Sequence, residues 1–392
     1  MALGFLKRRL TSGAEAPVTE AGRVRPFAPD DISRVADLHR RVFRVEDRDQ
    51  RAGGGGSLSP RLLASYEAYF NDAFLDGPWQ HRRITSLVYE DRDGRIVGFL
   101  GVLPRRMMLD DTPVQMAVCS QFAVDPQRRG MVGLELLSEH FRGPQDLSVT
   151  DEANDATRRI WEARGGTTCP SYCVHWIRPL RPAAFLLSVA GGIRGAARVL
   201  GPISRIADAI AAKLPGSPFR RAAQDAPGED LDTPTVLEHL PIFAKGRSFL
   251  PDYTAGSWSW TLARAGLRDG DGRFHKVALR DTARRLAGWY LYRLEPGAVA
   301  EVLQIAATAR SFNGVFGHLL EHAWRRGAVA VSGRLDPILF RELADRYCLF
   351  RFRGSSMLVH AAKPAVLQPL YQGDAFFTRL EGEWCLRFRP DW

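Results

Sequence analysis

The sequence predicts an α/β protein with mixed sheets, duplicated in tandem. Three observations carry this. Short apolar runs bounded by turn residues alternate with segments whose apolar residues recur every three or four positions. The turn Asp91-Arg92-Asp93-Gly94 separates two such runs as a hairpin would. The order strand, helix, strand, helix, strand in the first half returns near the end of the second.

Taken in order, residues 1–22 are small and polar and read as a disordered tail. Val24, Pro26 and Phe27 open a short strand. Pro29-Asp30-Asp31 starts a helix whose apolar face is Ile32, Val35, Leu38, Val42 and Phe43. Gly53 to Gly56 make a flexible loop, and a second helix carries Leu62, Leu63, Tyr66, Tyr69, Phe70 and Phe74. Strands are expected at 84–89, 96–103 and 114–124, followed by a helix over 129–141. A strand over 147–150, a helix over 154–164 and a strand over 172–177 complete the first half.

Residues 183–229 read as a basic amphipathic linker. Arg194, Arg198, Arg205 and Lys213 punctuate small apolar residues there, and the end is rich in Pro and Gly. Such helices either pack between domains or lie on a membrane surface, so peripheral membrane contact through 183–214 is one expectation. The second half, 230–392, has strands expected at 274–279, 286–292 and 300–307. A helix over 312–325, a strand over 329–333, a helix over 337–347 and a strand over 356–361 follow. Its end, 367–392, is an aromatic-rich packed tail.

Composition sets limits. Of 392 residues, 45% are apolar and 25% charged, which excludes a mostly disordered or fibrous chain. Lys and Arg number 54 against 44 Asp and Glu, a net charge of +10, and only five of the basic residues are lysine. That bias points to a GC-rich bacterial genome. The charge suits anionic partners or simply solubility. No arginine stripe is interleaved with aromatics, so nucleic acid is not expected. The five cysteines have no framework spacing, which fits a reducing, cytoplasmic setting. No stretch of about 18 uncharged apolar residues offers a membrane span.

The informative segment is Phe122-Ala123-Val124-Asp125-Pro126-Gln127-Arg128-Arg129-Gly130-Met131-Val132-Gly133. A strand ends at Val124 and a helix opens near Gly130. The free N–H groups of a helix N-terminus attract an anion, Gly130 lets the backbone approach it, and Arg128 and Arg129 add charge. From the residues alone this is either a diphosphate cradle or an ordinary strand-to-helix turn.

The segment resembles the acetyl-CoA loop of the GNAT superfamily of acetyltransferases, Gln/Arg-x-x-Gly-x-Gly/Ala. Gln127 and Gly130 match, Val132 stands where Gly or Ala is usual, and Gly133 follows one place late. Asn154, Ile160 and Gly165 match a second family pattern, with Trp161 in place of its tyrosine. The resemblance implies a GNAT domain over 23–182 and a degenerate GNAT-like domain over 230–392. It implies direct transfer of an acetyl group from acetyl-CoA to a small-molecule amine. Phe122, Val124, Gln127 to Gly133 and Asn154 would bind the cofactor. A backbone N–H at Gln121 to Val124 would steady the oxyanion. Tyr172 is the candidate acid in place of Trp161, and Glu90 the candidate base.

Charge alone suggests an anionic acceptor. The alternative, prompted by Val132 and Trp161, is an inactive CoA-binding or protein-interaction scaffold. Two distractors remain. Cys119 could act as a nucleophile only with a nearby histidine such as His140 or His175, and a buried core cysteine is the expected reading. His318-Leu319-Leu320-Glu321-His322 matches an inverted zinc-peptidase motif, but no third ligand is evident, so these histidines are expected at the core edge.

Overall fold

The computed structural model describes residues 22–45, 58–128, 130–189, 204, 206–211, 213–214, 217–219, 227–266, 273–295, 297–352 and 354–388. Residues 1–21, Gly53 to Gly56 and Arg129, to which the sequence assigns a tail, a loop and a cofactor contact, lie outside that set.

The first half begins with β1 (Arg23–Pro26), α1 (Ile32–Phe43) and α2 (Pro60–Phe70). Ser59 caps α2 by accepting from Leu62 N–H, and Pro60 occupies its first turn. The last turn of α2 widens into a π-helical turn, Asn71–Leu75. Strands β2 (Leu87–Glu90), β3 (Ile96–Leu109) and β4 (Thr112–Val124) follow. Then come α3 (Met131–Phe141), β5 (Leu147–Ala153), α4 (Asp155–Glu162), β6 (Thr167–Thr168), β7 (Val174–Pro179) and α5 (Pro182–Val189).

Strand β3 runs past the expected end at Leu103. Charged Arg105 and Arg106 make the sequence look like a strand terminus there, yet Arg105 is buried with its guanidinium 4.7 Å over the Trp79 ring.

The second half contains β8 (Glu229–Asp230), β9 (Phe249–Pro251), β10 (Phe274–Arg280), β11 (Leu286–Arg293) and β12 (Val299–Ala307). It continues with β13 (Ala330–Arg334), β14 (Leu349–Phe352) and β15 (Ser356–His360). Helices Thr233–Phe243, Ala255–Gly266 and Phe312–Arg325 pack on these strands. The helix expected over 337–347 is a 3-10 turn, Pro337–Leu339, leading into a short helix, Phe340–Asp345.

Two sheets result. The first has the order β1-β2-β3-β4-β5-β15-β6, with β9 on the far end of β3. The second reads β8-β10-β11-β12-β13-β7-β14. In each, four antiparallel strands lead to one parallel neighbour (β4 with β5, β12 with β13), and an antiparallel strand then joins from the other half. β7 pairs with β13 and β14, and β15 pairs with β5 and β6. The expected domains 23–182 and 230–392 each contribute a strand to the other's sheet.

Helices α1 and α2 cover one face of the first sheet around Val35, Leu38, Tyr66, Tyr69 and Phe70. Helices α3 and α4 cover the other around Leu136, Leu137 and Trp161. The aromatic tail packs as expected, with Phe376, Leu380 and Trp384 buried against the second sheet's helices. All five cysteines are buried and unbridged.

Candidate active site

The parallel pairing of β4 with β5 stops early. Only Met116 to Val118 pair with Leu147 to Val149, yet β4 continues to Val124 and β5 to Ala153. The strands therefore part and leave a wedge. Next to it β4 is bulged. Ser120 pairs with Gly101 and Ala123 with Phe99, so Gln121 and Phe122 both oppose Leu100. Gln121 sits at φ 52°, a left-handed conformation uncommon for a residue with a side chain. A bulge of this kind turns a backbone N–H out of the ladder.

The wedge opens into a cleft of about 430 Å³. Leu100, Cys119, Gln121 and Phe122 line one wall, and Thr150, Glu152, Asn154 and Trp161 the other. His39 closes one side, and the C-terminal segment supplies Glu383, Arg387 and Phe388.

That segment is anchored residue by residue. Glu383 Oε1 accepts from the Thr150 hydroxyl, from Asp151 N–H at 3.0 Å and from Glu152 N–H at 3.2 Å. Glu383 N–H donates to Asp151 Oδ1 at 2.7 Å, and Asp151 is also paired with Arg334 of the second sheet. Gly382 has no room for a side chain, since a Cβ would lie 2.0 Å from Asp151 Oδ2. Arg387 binds Glu152, and Phe388 stacks on Tyr66 with centroids 4.0 Å apart. Burial, and then the Asp151 charge, raises the Glu383 carboxyl above the usual range.

The hydrogen-bond pattern defines the neutral state of His39. Gln121 Nε2 donates to Leu386 C=O at 2.9 Å, so its Oε1 faces His39 Nε2 at 2.7 Å as an acceptor. His39 Nε2 is then the protonated nitrogen, and Nδ1 accepts from the Tyr66 hydroxyl at 3.0 Å. Burial brings the imidazole pKa down to about 4, against the Gln121 hydrogen bond that raises it.

At the mouth of the cleft, Pro126–Arg128 forms a 3-10 turn and Gly130 caps α3 at φ 105°. A residue with a side chain is strained there, although the space beside Gly130 is open. No side chain caps α3, and residues 126–128, 130 and 131 are exposed, so its first N–H groups face solvent.

Val132 is buried rather than turned toward that surface. It fills the space that Gly98 leaves in β3, where a Cβ would come within 2.6 Å of Val132 Cγ1. A Cβ on Gly133 would meet Phe122 at 3.3 Å, so this glycine holds α3 close to the cleft wall. Asn154 lines the cleft and caps α4, its side chain accepting from Thr157 N–H at 2.9 Å.

The structure brings Phe122, Val124, Gln127, Arg128, Gly130, Met131, Val132, Gly133 and Asn154 to one end of the first sheet. It does not bring Tyr172 or Glu90 to the cleft. Tyr172 is buried in the core, where its hydroxyl donates to Ala375 C=O at 2.9 Å and accepts from Ala375 N–H at 3.2 Å. Burial raises its pKa further. Glu90 lies near the sheet edge, tied to Arg25 at 3.0 Å and Arg23 at 2.9 Å. Those hydrogen bonds take its carboxyl down to about 2, so it is a poor proton acceptor.

Glu383, Thr150, His39 and Gln121 have no motif to mark them. Glu383 is 231 positions from the nearest backbone amide it binds, so only chain folding reveals it.

His140 does approach Cys119, with Nε2 3.2 Å from Sγ and 3.0 Å from Ser148 Oγ. Burial raises the thiol pKa and takes the imidazole down to about 3, so both stay neutral. His318 and His322 turn Nδ1 to the hydroxyls of Tyr290 and Tyr292, at 2.8 and 2.7 Å. Among the described residues no group of His, Cys, Asp and Glu is arranged to hold a metal.

Comparison with known proteins agrees with this architecture. Residues 23–142 match the family model described as an acetyltransferase (GNAT) domain. The chain is similar in structure to a GCN5-related N-acetyltransferase from Anabaena variabilis, at 13% identity and a TM-score of 0.53, over 87% of this chain and 73% of that one. It is equally similar to a probable N-acyltransferase from Enterococcus faecalis, at 9% identity and a TM-score of 0.53, over 88% and 74%. At these identities the likeness is one of fold. Comparison with curated proteins finds no match. Residues 23–142 thus resemble a GNAT acetyltransferase domain, within a mixed α/β fold.

Proposed function

We propose that the protein transfers an acyl group from an acyl-CoA, acetyl-CoA in the first instance, directly to an amine. The observation that carries this reading is the wedge between β4 and β5, with a bulged strand on one wall and an uncapped helix N-terminus at its mouth. The cofactor's pyrophosphate would meet the α3 N-terminus, with Gln127, Arg128 and Gly130 around it. Its pantetheine arm would enter the wedge as a missing strand would, and the thioester carbonyl would face the bulge at Gln121 and Phe122.

The amine nitrogen attacks the thioester carbon, and the C–S bond then breaks to release CoA thiolate. The attacking amine must lose a proton. Glu383 is the carboxyl best suited to take it, because its raised pKa makes it a stronger base than an exposed glutamate. Among the described residues no tyrosine lines the cleft, so the thiolate would be protonated from Glu383 or from water. The net charge of +10 favours an anionic acceptor. The second half serves as a degenerate GNAT-like unit that completes the first sheet through β15. The scaffold alternative loses one of its grounds, since Val132 is buried beneath the loop.

The test is calorimetric titration of acetyl-CoA into the wild type and Gly130→Glu. Binding that weakens at least about tenfold in the variant supports the cradle, on the scale of one lost charge-assisted hydrogen bond. No binding to folded wild type overturns the reading. Turnover of an amine panel then decides between enzyme and scaffold. A turnover rate insensitive to salt would count against an anionic acceptor.

A further inference from the structure

We propose that Arg334 of the second sheet is a positioning residue for the cleft in the first, acting through Asp151 on Glu383. This rests on the reading of Glu383 as the base. It gives the second half a part in the chemistry beyond completing a sheet.

The contacts begin in β5, which is bulged. Thr150 pairs with Leu358 and Ala153 with Ser356, so Asp151 and Glu152 both oppose Met357. The N–H groups of those two residues donate to Glu383 Oε1. The Asp151 carboxylate is divided between two partners. Its Oδ1 accepts from Glu383 N–H at 2.7 Å, and its Oδ2 is paired with Arg334.

Arg334 arrives from the other half. It ends β13, and its backbone is fixed by pairing with His175 in β7 and by Trp176 Nε1, which donates to its C=O at 3.1 Å. Its side chain is only 5% exposed, and that of Asp151 1%. Among the described residues its guanidinium donates to Asp151 alone, and Nε and Nη1 have no hydrogen-bond partner. An arginine buried against one carboxylate matters there chiefly for its charge.

Burial works against the Asp151 charge. Arg334, Glu383 N–H and Arg379 outweigh it and hold the carboxyl below its ordinary value. Burial, and then this ionised neighbour, keep the proton on Glu383 to a higher pH. The other charged groups around Glu383 are matched locally. Glu152 is paired with Arg387, and Arg379 with Glu301. His175 Nδ1 lies 3.3 Å from Arg379 Nη2, while the neutral Cys119 thiol and neutral His39 line the cleft. Asp151 and Arg334 therefore form the pair through which the second sheet acts on the base.

The experiment follows the Glu383 carboxyl by carbon NMR of the glutamate-labelled full chain, assigned with Glu383→Gln, alongside the pH dependence of kcat. Asp151→Asn removes the negative charge but keeps an acceptor for Glu383 N–H. It should lower the Glu383 pKa by about one to three pH units. Arg334→Gln removes the positive charge and should raise it by about one. Arg334→Lys keeps the charge and should stay near the wild type. If Arg334→Gln alone does not fold, Asp151→Asn/Arg334→Gln leaves no unpaired buried charge, and its pKa should fall between those of Asp151→Asn and the wild type. A merely structural pair would move the two single variants the same way. That result, or no shift in either, overturns the proposal. An acid limb of the kcat profile that moves with the NMR titration supports both the proposal and Glu383 as the base. A limb that stays put while the carboxyl titration moves overturns Glu383 as the base and leaves the hold of Arg334 on it intact.

Discussion

The two sheets share one strand order but differ where their parallel strands part. In the first, β4 and β5 separate around a cleft of about 430 Å³. In the second, β12 and β13 pair only from Val299 to Glu301 and Ala330 to Ser332, and the space beyond is about 40 Å³. Side chains of Trp176 and Phe312 line that space, as does Arg379, whose N–H donates to Leu303 C=O at 3.2 Å.

The helix N-termini differ as well. Gly130 leaves the start of α3 open. At the second helix Thr308 and Ser311 bond each other's backbone N–H through their hydroxyls, and Phe312 N–H reaches Thr308 C=O. One sheet has an exposed helix start and an unfilled wedge. In the other the space is filled by side chains and the first helical N–H is bonded to Thr308 C=O, although no side chain caps that helix either. The comparison teaches that strand order does not make a site. A site requires first of all that the parted strands stay empty.

The largest expected effect is at Glu383. Replacement by Gln should lower kcat by about 10² to 10⁴, as removal of a general base does, with acetyl-CoA affinity little changed. The wild-type rate should rise with pH toward the raised carboxyl pKa, and steady-state kinetics would check both. An unchanged kcat would leave the two clefts without a chemical distinction.

Gly130→Glu and Gly314→Glu sharpen the comparison at the helix ends. Both sites have open space for a side chain. The first should cost about 10- to 100-fold in acetyl-CoA affinity and the second nothing, measured by calorimetry.

Gly382→Ala should push the tail off Asp151 and cost about 1–3 kcal/mol of stability, read by urea unfolding. Loss of activity well beyond that of stability would show that Glu383 had moved. Tyr172→Phe removes both bonds to Ala375. It should cost about 1–2 kcal/mol while kcat stays within about twofold, and a large fall in kcat would return Tyr172 to the chemistry.

The smallest effect is on pH stability. Burial lowers His39 to about 4 and His140 to about 3, below the ordinary value of 6.5. Between those values and 6.5 the unfolded chain binds protons that the folded chain does not, so stability should fall as the pH drops from 7 to 5. Thermal unfolding at the two pH values would show it, and a flat response would contradict buried neutral histidines.

Much of the fold was legible. The periods of α1 and of Phe312–Arg325 depend on which residues are apolar, and both helices are found where expected. The turn at Asp91 to Gly94 forms because glycine accepts φ 74° there. The loop from Gln127 to Gly133 could be placed because a strand-to-helix turn is local in sequence. Short edge strands such as β6 and β14 escaped, since two to four residues show no period. The roles given to Tyr172 and Glu90 went astray because an acid or base is defined by its surroundings. Arginines surround Glu90, and the tail of the chain surrounds Tyr172.

By itself, then, the sequence determined the alternation of strands and helices, the hairpin, the α3 loop and the concentration of basic and apolar residues after Pro182. These depend on neighbours within a few positions, and backbone propensity and periodicity record them. Tertiary structure alone decided that β7 and β15 change sheets, that β4 and β5 part while β12 and β13 close, and that Glu383 enters the cleft. Each of these is a contact between residues far apart along the chain, selected by packing and by the pairing of buried charges such as Asp151 and Arg334. No local pattern encodes them.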